Sequence, residues 1–325
     1  MTCPGNVRSV VALPGDLAPV VPSDSPNKAE SPVVVRRRSR FAVYLALTKP
    51  RVIELLLVTT VPAMILADKG LPPLALIAAV LFGGTMAAGG ANTINCWIER
   101  DRDQFMRRTH NRPLPQGDVS PVAALIFGLA LELIAFIWLW ATVNLLSAML
   151  AVGAMLFYVF VYTVWLKPRT VQNIVIGGAA GAVPVLVGWS SVTGSLALPA
   201  WIMFAIVFLW TPPHFWAIAI RYRDDYAAAG FPMLPVVKGV PAATRQIVAY
   251  SVIVTATSLL LGPTTNLSWG YTAAALVLGI AFIVEAIRLN RDPSEQRAIN
   301  LFKFSNIYLA LLFAAIAIDS IVQSF

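Results

Sequence analysis

The feature that most constrains this chain is a succession of apolar runs, each about twenty residues long. A helix of that length matches the hydrocarbon core of a bilayer. Lipid offers the backbone no hydrogen bonds, so such runs must form helices rather than open strands. Nine runs can be marked, at roughly 52–68, 73–97, 120–141, 144–165, 172–191, 199–220, 246–263, 270–289 and 303–322. The composition agrees. The 325 residues are 58% hydrophobic and 12% charged, where soluble domains carry about 25% charged residues. Mean hydropathy is +0.74. The expected fold is all-α, a polytopic membrane protein of about nine transmembrane helices bundled around a central cavity, with cytoplasmic loops capping one end.

The connections set the topology. Those near 69–72, 142–143, 192–198 and 264–269 are short and nearly uncharged. Those at 98–119, 221–245 and 290–302 are long and charged, and the turn at 166–171 carries Lys167 and Arg169. With the N-terminus in the cytoplasm, all 24 Lys and Arg except Lys69 fall on the cytoplasmic side. That asymmetry follows the positive-inside rule. The net charge of +8 is therefore topological and does not point to nucleic acid. Residues 1–40, rich in Pro, Ser and Val and without helical period, are expected to be a disordered cytoplasmic tail. No continuous apolar segment there precedes a small-residue cleavage site, which argues against a secretory signal. Arg36, Arg37, Arg38 and Arg40 close the tail, a basic block suited to anionic lipid. Arg is scarce before residue 36, which favours a bacterial plasma membrane over a mitochondrial inner membrane. Cys3 and Cys96 form no disulfide or zinc framework, and Cys96 reads as a small buried side chain.

Charge arrives abruptly at the end of the second run, in residues 92–115, NTINCWIERDRDQFMRRTHNRPLP. Asn95, Glu99 and Asp103 are spaced four apart, which stacks them on one helix face. Asn95 lies inside the apolar run, where an amide is costly without a partner. Hard oxygen ligands of this kind suit Mg²⁺, which keeps several waters and is shared with substrate phosphates. Arg100, Arg102, Arg107, Arg108 and Arg112 surround them, and guanidinium groups bind phosphate bidentately. After the sixth run come Arg221, Arg223, Asp224 and Asp225, where paired acids could hold a second Mg²⁺. Lys167 snorkels from an aromatic-rich span end or supplies a further cation for a diphosphate. Pro212 and Pro213 are expected to break the hydrogen-bond ladder of the sixth span, and His214 follows that break. It reads as a packed polar group or a substrate contact. Glu54 sits near the cytoplasmic end of the first span, and Glu132, Glu285 and Asp319 have no assigned partner.

These residues carry a resemblance. Asn95-x-x-x-Glu99-x-x-x-Asp103 resembles the first aspartate-rich motif of the UbiA superfamily of membrane prenyltransferases. The strings NCWIERDRDQFMRRTHNRPLP, YTVWLKPRTVQNIVIGGAAGAVPVLVGW, WTPPHFWAIAIRYRDDYAAAGFPMLP and LTKPRVIELLL are similar to the haem-farnesylating branch of that superfamily. The likeness runs from about Leu47 to the last span, so residues 41–325 form the expected prenyltransferase membrane domain. It implies transfer of a farnesyl group from farnesyl diphosphate to a vinyl group of haem B, with addition of water. The product would be haem O, available for hand-over to haem A synthase. On this resemblance Glu99, Asp103 and Asp225, with Asp224 adjacent, hold Mg²⁺ as cofactor, and Asn95 orients or ligates. Arg102, Arg107, Arg112, Lys167 and Arg221 contact the diphosphate, and His214 contacts haem. Two other readings stay open. A quinone-precursor or chlorin acceptor would use the same site chemistry. A secondary transporter would also use intramembrane acids, although here the charge gathers at one membrane face.

Overall fold

The computed structural model describes residues 39–324, apart from the side chains at 51, 52 and 54–57. The expectations for the tail and for Glu54 lie outside the described residues. All regular structure among the described residues is helical. The helices are α1 (Arg40–Thr48), α2 (Pro50–Asp68), α3 (Leu74–Asp103), α4 (Pro121–Thr142) and α5 (Leu145–Leu156). A π-helix, Phe157–Leu166, continues α5. Then follow α6 (Asn173–Thr193), α7 (Leu198–Arg221), α8 (Arg223–Ala228), α9 (Leu234–Val237), α10 (Val240–Thr264), α11 (Trp269–Arg291) and α12 (Glu295–Val322).

Eight helical segments among the described residues are long and apolar enough to cross a membrane. The 19-residue α2 occupies the place of the first expected span. Several helices outrun their apolar cores. α3 continues to Asp103 and so carries the whole acid stripe on one rigid element. α10 starts at Val240, behind Gly239, with Pro241 in its first turn. α12 starts at Glu295, where the Ser294 hydroxyl caps it by accepting from the Arg297 N–H. Caps and polar first turns stabilise helix beyond the membrane-length run, which hydropathy alone does not register.

Pro212 and Pro213 have no N–H, so the hydrogen-bond ladder lapses there as expected, but the helix itself does not break. α7 runs unbroken from Leu198 to Arg221 with both prolines inside it. A transmembrane helix tolerates proline when nearby groups take up the freed carbonyls. The carbonyls freed here are those of Phe208 and Leu209, four residues before each proline; the Thr211 hydroxyl donates to the adjacent Val207 carbonyl at 2.8 Å.

α3 packs against α4, α7 against α10 and α6, and α12 against α7, α11 and α2. The α3–α4 contact is backbone-close. A Cβ on Gly90 would stand 2.8 Å from the Gly128 carbonyl oxygen, so small residues permit that approach. Glu132 is buried at this contact, its Cγ also 2.8 Å from the same virtual Cβ. The other two unassigned acids have local work. Asp319 of α12 accepts from the Ser268 backbone N–H at 2.6 Å and from its hydroxyl, tying down the start of α11. Glu285 pairs with Arg288 one turn on.

Candidate active site

The polar face of α3 is buried and matched with cations from three other segments. Asn95, Glu99 and Asp103 are 2%, 6% and 2% exposed. The Lys49 ammonium donates to Asn95 Oδ1 at 2.6 Å. Lys167 pairs with Glu99. Arg112 donates to Asp103 Oδ2 at 2.7 Å. Above and below, Asn92 donates to the Thr48 carbonyl at 3.0 Å and the Thr109 hydroxyl donates to the Asp103 carbonyl at 3.0 Å. Two carboxylates thus face three cations, and the third cation meets only a neutral amide oxygen. Burial depresses the Lys49 ammonium below the usual lysine value; neighbouring Arg112 and Lys167 act in the same direction, while Glu99 opposes them. Burial would also lower Lys167, but Glu99 outweighs it and holds Lys167 above its ordinary value. Arg112 is raised in the same way, with Asp103 overcoming the effect of burial.

Local backbone structure delivers each cation. Lys49 caps the end of α1 and the start of α2 at once, in the left-handed region (φ 53, ψ 63). A non-glycine residue there costs about 1–2 kcal/mol, and Pro50 restricts it further. The sharp reversal turns its ammonium back onto α3. Lys167 follows the π-helix, and its N–H bonds the Tyr162 carbonyl five residues back at 2.8 Å. The Thr163 hydroxyl likewise bonds the Tyr158 carbonyl at 2.8 Å, and it accepts from Asn95 Nδ2 at 3.1 Å. π-Helical segments are rare and gather at functional sites. Tyr162 stacks on Tyr158 at 5.5 Å and is seated on Gly177, where a Cβ would lie 2.2 Å from the Tyr162 ring.

The loop after α7 covers this cluster. Phe231, 3% exposed, lies under Lys167 and Arg102, with the cations 4.6 and 5.1 Å from its ring centre. Arg108 donates to the Tyr226 hydroxyl at 3.3 Å. Asp225 is 13% exposed, with Arg107 Nε at 4.0 Å, and its Oδ2 is buried without a hydrogen-bond partner.

The structure therefore gathers Asn95, Glu99, Asp103, Arg112 and Lys167, with Arg102 and Phe231 over them. Asp225 and Arg107 stand in the covering loop. Asp224 points to solvent, 94% exposed and 3.5 Å from Arg223. Arg221 is exposed against the Tyr222 ring, and Arg107 is 95% exposed. His214 lies in α7, packed against α12. Sequence reasoning missed Lys49, Thr163, Tyr226 and Phe231. For Lys49 a signal existed, since a lysine beside a proline at the head of a span is a forced turn. The π-helix left no such mark.

Among the described residues no three His, Cys, Asp or Glu side chains stand close enough to hold a metal on their own. Mg²⁺ does not need three; it is held by one or two carboxylates, with water and phosphate completing the shell. Glu99 and Asp103 on one face, and the bare buried oxygen of Asp225, fit that role.

The fold and the cluster define a polytopic helical membrane protein with a buried, cation-rich polar cluster at one end of its bundle. The chain belongs to the UbiA prenyltransferase family, whose model matches residues 56–309. It is 53% identical over 287 residues to "Protoheme IX farnesyltransferase" of Frankia alni, covering 87% of this chain and 99% of that one. It is also 53% identical over 304 residues to "Protoheme IX farnesyltransferase 1" of Saccharopolyspora erythraea, covering 93% and 96%. Among solved structures, a digeranylgeranylglyceryl phosphate synthase shares the fold with a TM-score of 0.72 at 19% identity, covering 87% of this chain and 99% of that one. A UbiA homologue from Archaeoglobus fulgidus, bound to DMAPP and Mg²⁺, does so with a TM-score of 0.63 at 18% identity, covering 85% and 99%.

Proposed function

We propose that this protein transfers a farnesyl group from farnesyl diphosphate to a vinyl group of haem B, with addition of water, giving haem O. The observation that carries the reading is the buried α3 stripe with its excess cation, set in a chain 53% identical to curated relatives of that name across nearly their whole length. The site holds an anion's worth of positive charge beyond its own carboxylates. A diphosphate head group supplies the missing anion.

Lys49, Lys167 and Arg112 face the α3 stripe from three directions, and Arg102 stands over it. On this reading they exchange their carboxylate and amide partners for diphosphate oxygens. Mg²⁺, held by no more than two of Glu99, Asp103 and Asp225 with water and phosphate completing its shell, would neutralise charge on the leaving group. Preorganised cations stabilise developing negative charge most where water is excluded. Phe231, Tyr158 and Tyr162 supply that exclusion and offer ring faces to an allylic cation. Carbon–oxygen cleavage yields the farnesyl cation. The vinyl terminus of haem attacks it, and water adds its hydroxyl to the adjacent carbon and releases a proton. The positive-inside pattern supports a cytoplasmic position for this face, and the bacterial relatives support a plasma membrane.

Purified protein given farnesyl diphosphate, haem B and Mg²⁺ should release pyrophosphate and form haem O in equal amounts. An aromatic acid or a chlorin offered beside haem B should remain unprenylated; preferential prenylation of either would reassign the acceptor.

A further inference from the structure

The back of α3 is a seam of small and apolar side chains with one carboxyl set into it. Gly90 and Glu99 are nine residues apart on α3, about two and a half turns, so they face opposite ways. The acid stripe looks into the site, while Gly83, Ala87, Gly90 and Ile94 look toward α4. A Cβ on Gly83 would stand 2.5 Å from the Leu139 side chain. Ala87 packs with Ala135 and Leu139. The Ile94 side chain comes within 2.9 Å of where a Gly128 Cβ would be. Glu132 sits in this row of α4 side chains and is 6% exposed. Neither of its carboxyl oxygens has a hydrogen-bond partner. The Ala91 N–H approaches them, short of hydrogen-bond geometry.

No cation answers this carboxyl among the described residues. Lys49, Lys167 and Arg112 are engaged on the opposite face of α3, with Asn95, Glu99 and Asp103. An ionised carboxylate inside a membrane bundle, with neither donor nor counter-ion, is too costly to keep. Protonation removes the charge and turns one oxygen into a donor. An acceptor is at hand. The Gly128 carbonyl oxygen stands 2.8 Å, and Glu132 Oε1 2.9 Å, from the same Cβ position on Gly90. A carbonyl oxygen keeps a second lone pair beyond the one its own helix uses. Small residues let two helices approach closely but do little to fix their rotation. A single buried polar group at such a contact sets the register.

We infer that Glu132 is held as a neutral carboxylic acid whose O–H donates to a backbone carbonyl of the α3–α4 seam, and that this bond positions α3 so that Asn95, Glu99 and Asp103 meet their cations. Seam and stripe share one rigid helix. A roll of α3 that loosens the seam therefore swings the stripe away from Lys49, Lys167 and Arg112. Glu132 is a positioning residue, acting through α3 rather than on substrate. Its consequence for diphosphate binding rests on the function proposed above; its protonation state does not.

The test uses the full chain in nanodiscs at neutral pH. Infrared difference spectra of wild type against Glu132→Gln should show one protonated-carboxyl C=O band that the variant lacks. Glutamine is neutral and keeps a donor, so Glu132→Gln should bind inorganic pyrophosphate with Mg²⁺ within about twofold of the wild type. Glu132→Leu keeps the bulk and loses the donor. It should bind pyrophosphate roughly tenfold or more weakly, since small misplacements of site groups cost that much. A carboxylate band in place of the acid band, a Glu132→Gln variant as weak as Glu132→Leu, or a Glu132→Leu variant with wild-type affinity would overturn the assignment. If Glu132→Leu does not fold, the band and the glutamine variant decide it. A wild type that binds pyrophosphate but makes no haem O removes the acceptor reading and leaves Glu132 in its role. A wild type that binds no pyrophosphate removes the diphosphate reading and with it the positioning role, while the band still decides where the proton is.

Discussion

The loop that follows α3 and the loop that follows α7 carry the same kinds of residue in similar order, a basic and acidic helix end and then a Pro–Leu turn. The structure uses them differently. In the first, both stripe acids are buried and each has a cation within bonding distance. In the second, one acid is exposed to solvent and the other is partly covered with a bare oxygen. The first loop is the wall of the site because α3 carries its acids rigidly out of the membrane. The second is a cover, pinned through Tyr226 and Phe231 rather than through its acids. Similar composition thus acquires different roles through burial.

That contrast can be broken most sharply at its centre. Asp103→Asn or Glu99→Gln should lower haem O formation by roughly 100- to 1000-fold, the scale for losing one preorganised electrostatic element. Near-normal turnover at low Mg²⁺ would remove the stripe from the reaction. Lys49→Met should cost about 100-fold with the protein still folded by thermal scan. Lys49→Arg should not restore it, because a planar guanidinium cannot replace a point charge in a closed pocket; full rescue would mean that charge alone is needed there. Gly177→Ala forces Tyr162 to move and should destabilise by about 1–3 kcal/mol, read as a lower unfolding temperature; an unmoved midpoint would show that the π-helical seat is loose. Phe231→Ala should raise KM for farnesyl diphosphate more than it lowers kcat, since the cover holds substrate but does not react. At the small end, Asp224→Asn should stay within about twofold, as surface substitutions do. If Asp224→Asn matched Asp103→Asn, the two loops would be equivalent after all.

Much of the site was legible because helical spacing is a local property. Four-residue steps put Asn95, Glu99 and Asp103 on one face whatever the rest of the chain does. Which cation meets which acid was not legible. Lys49 is 46 residues from Asn95, and Lys167 is 68 from Glu99. The preference for Asp225 over Asp224 rested on the resemblance, since adjacent residues on a short helix point different ways and only packing decides which is covered.

By itself the sequence determined the all-helical membrane class and the order of its long apolar helices, the gathering of charge at one end of them, and the stripe on α3. Those follow from run length, charge placement and helical period, all properties of neighbours along the chain. Only the tertiary structure decided that α7 stays whole through two prolines, that a π-helix brings Lys167 to Glu99, and that His214 of α7 meets Ser305 of α12. Each depends on contacts between segments far apart in sequence, where hydrogen-bond satisfaction and close packing choose among conformations that local pattern leaves equal.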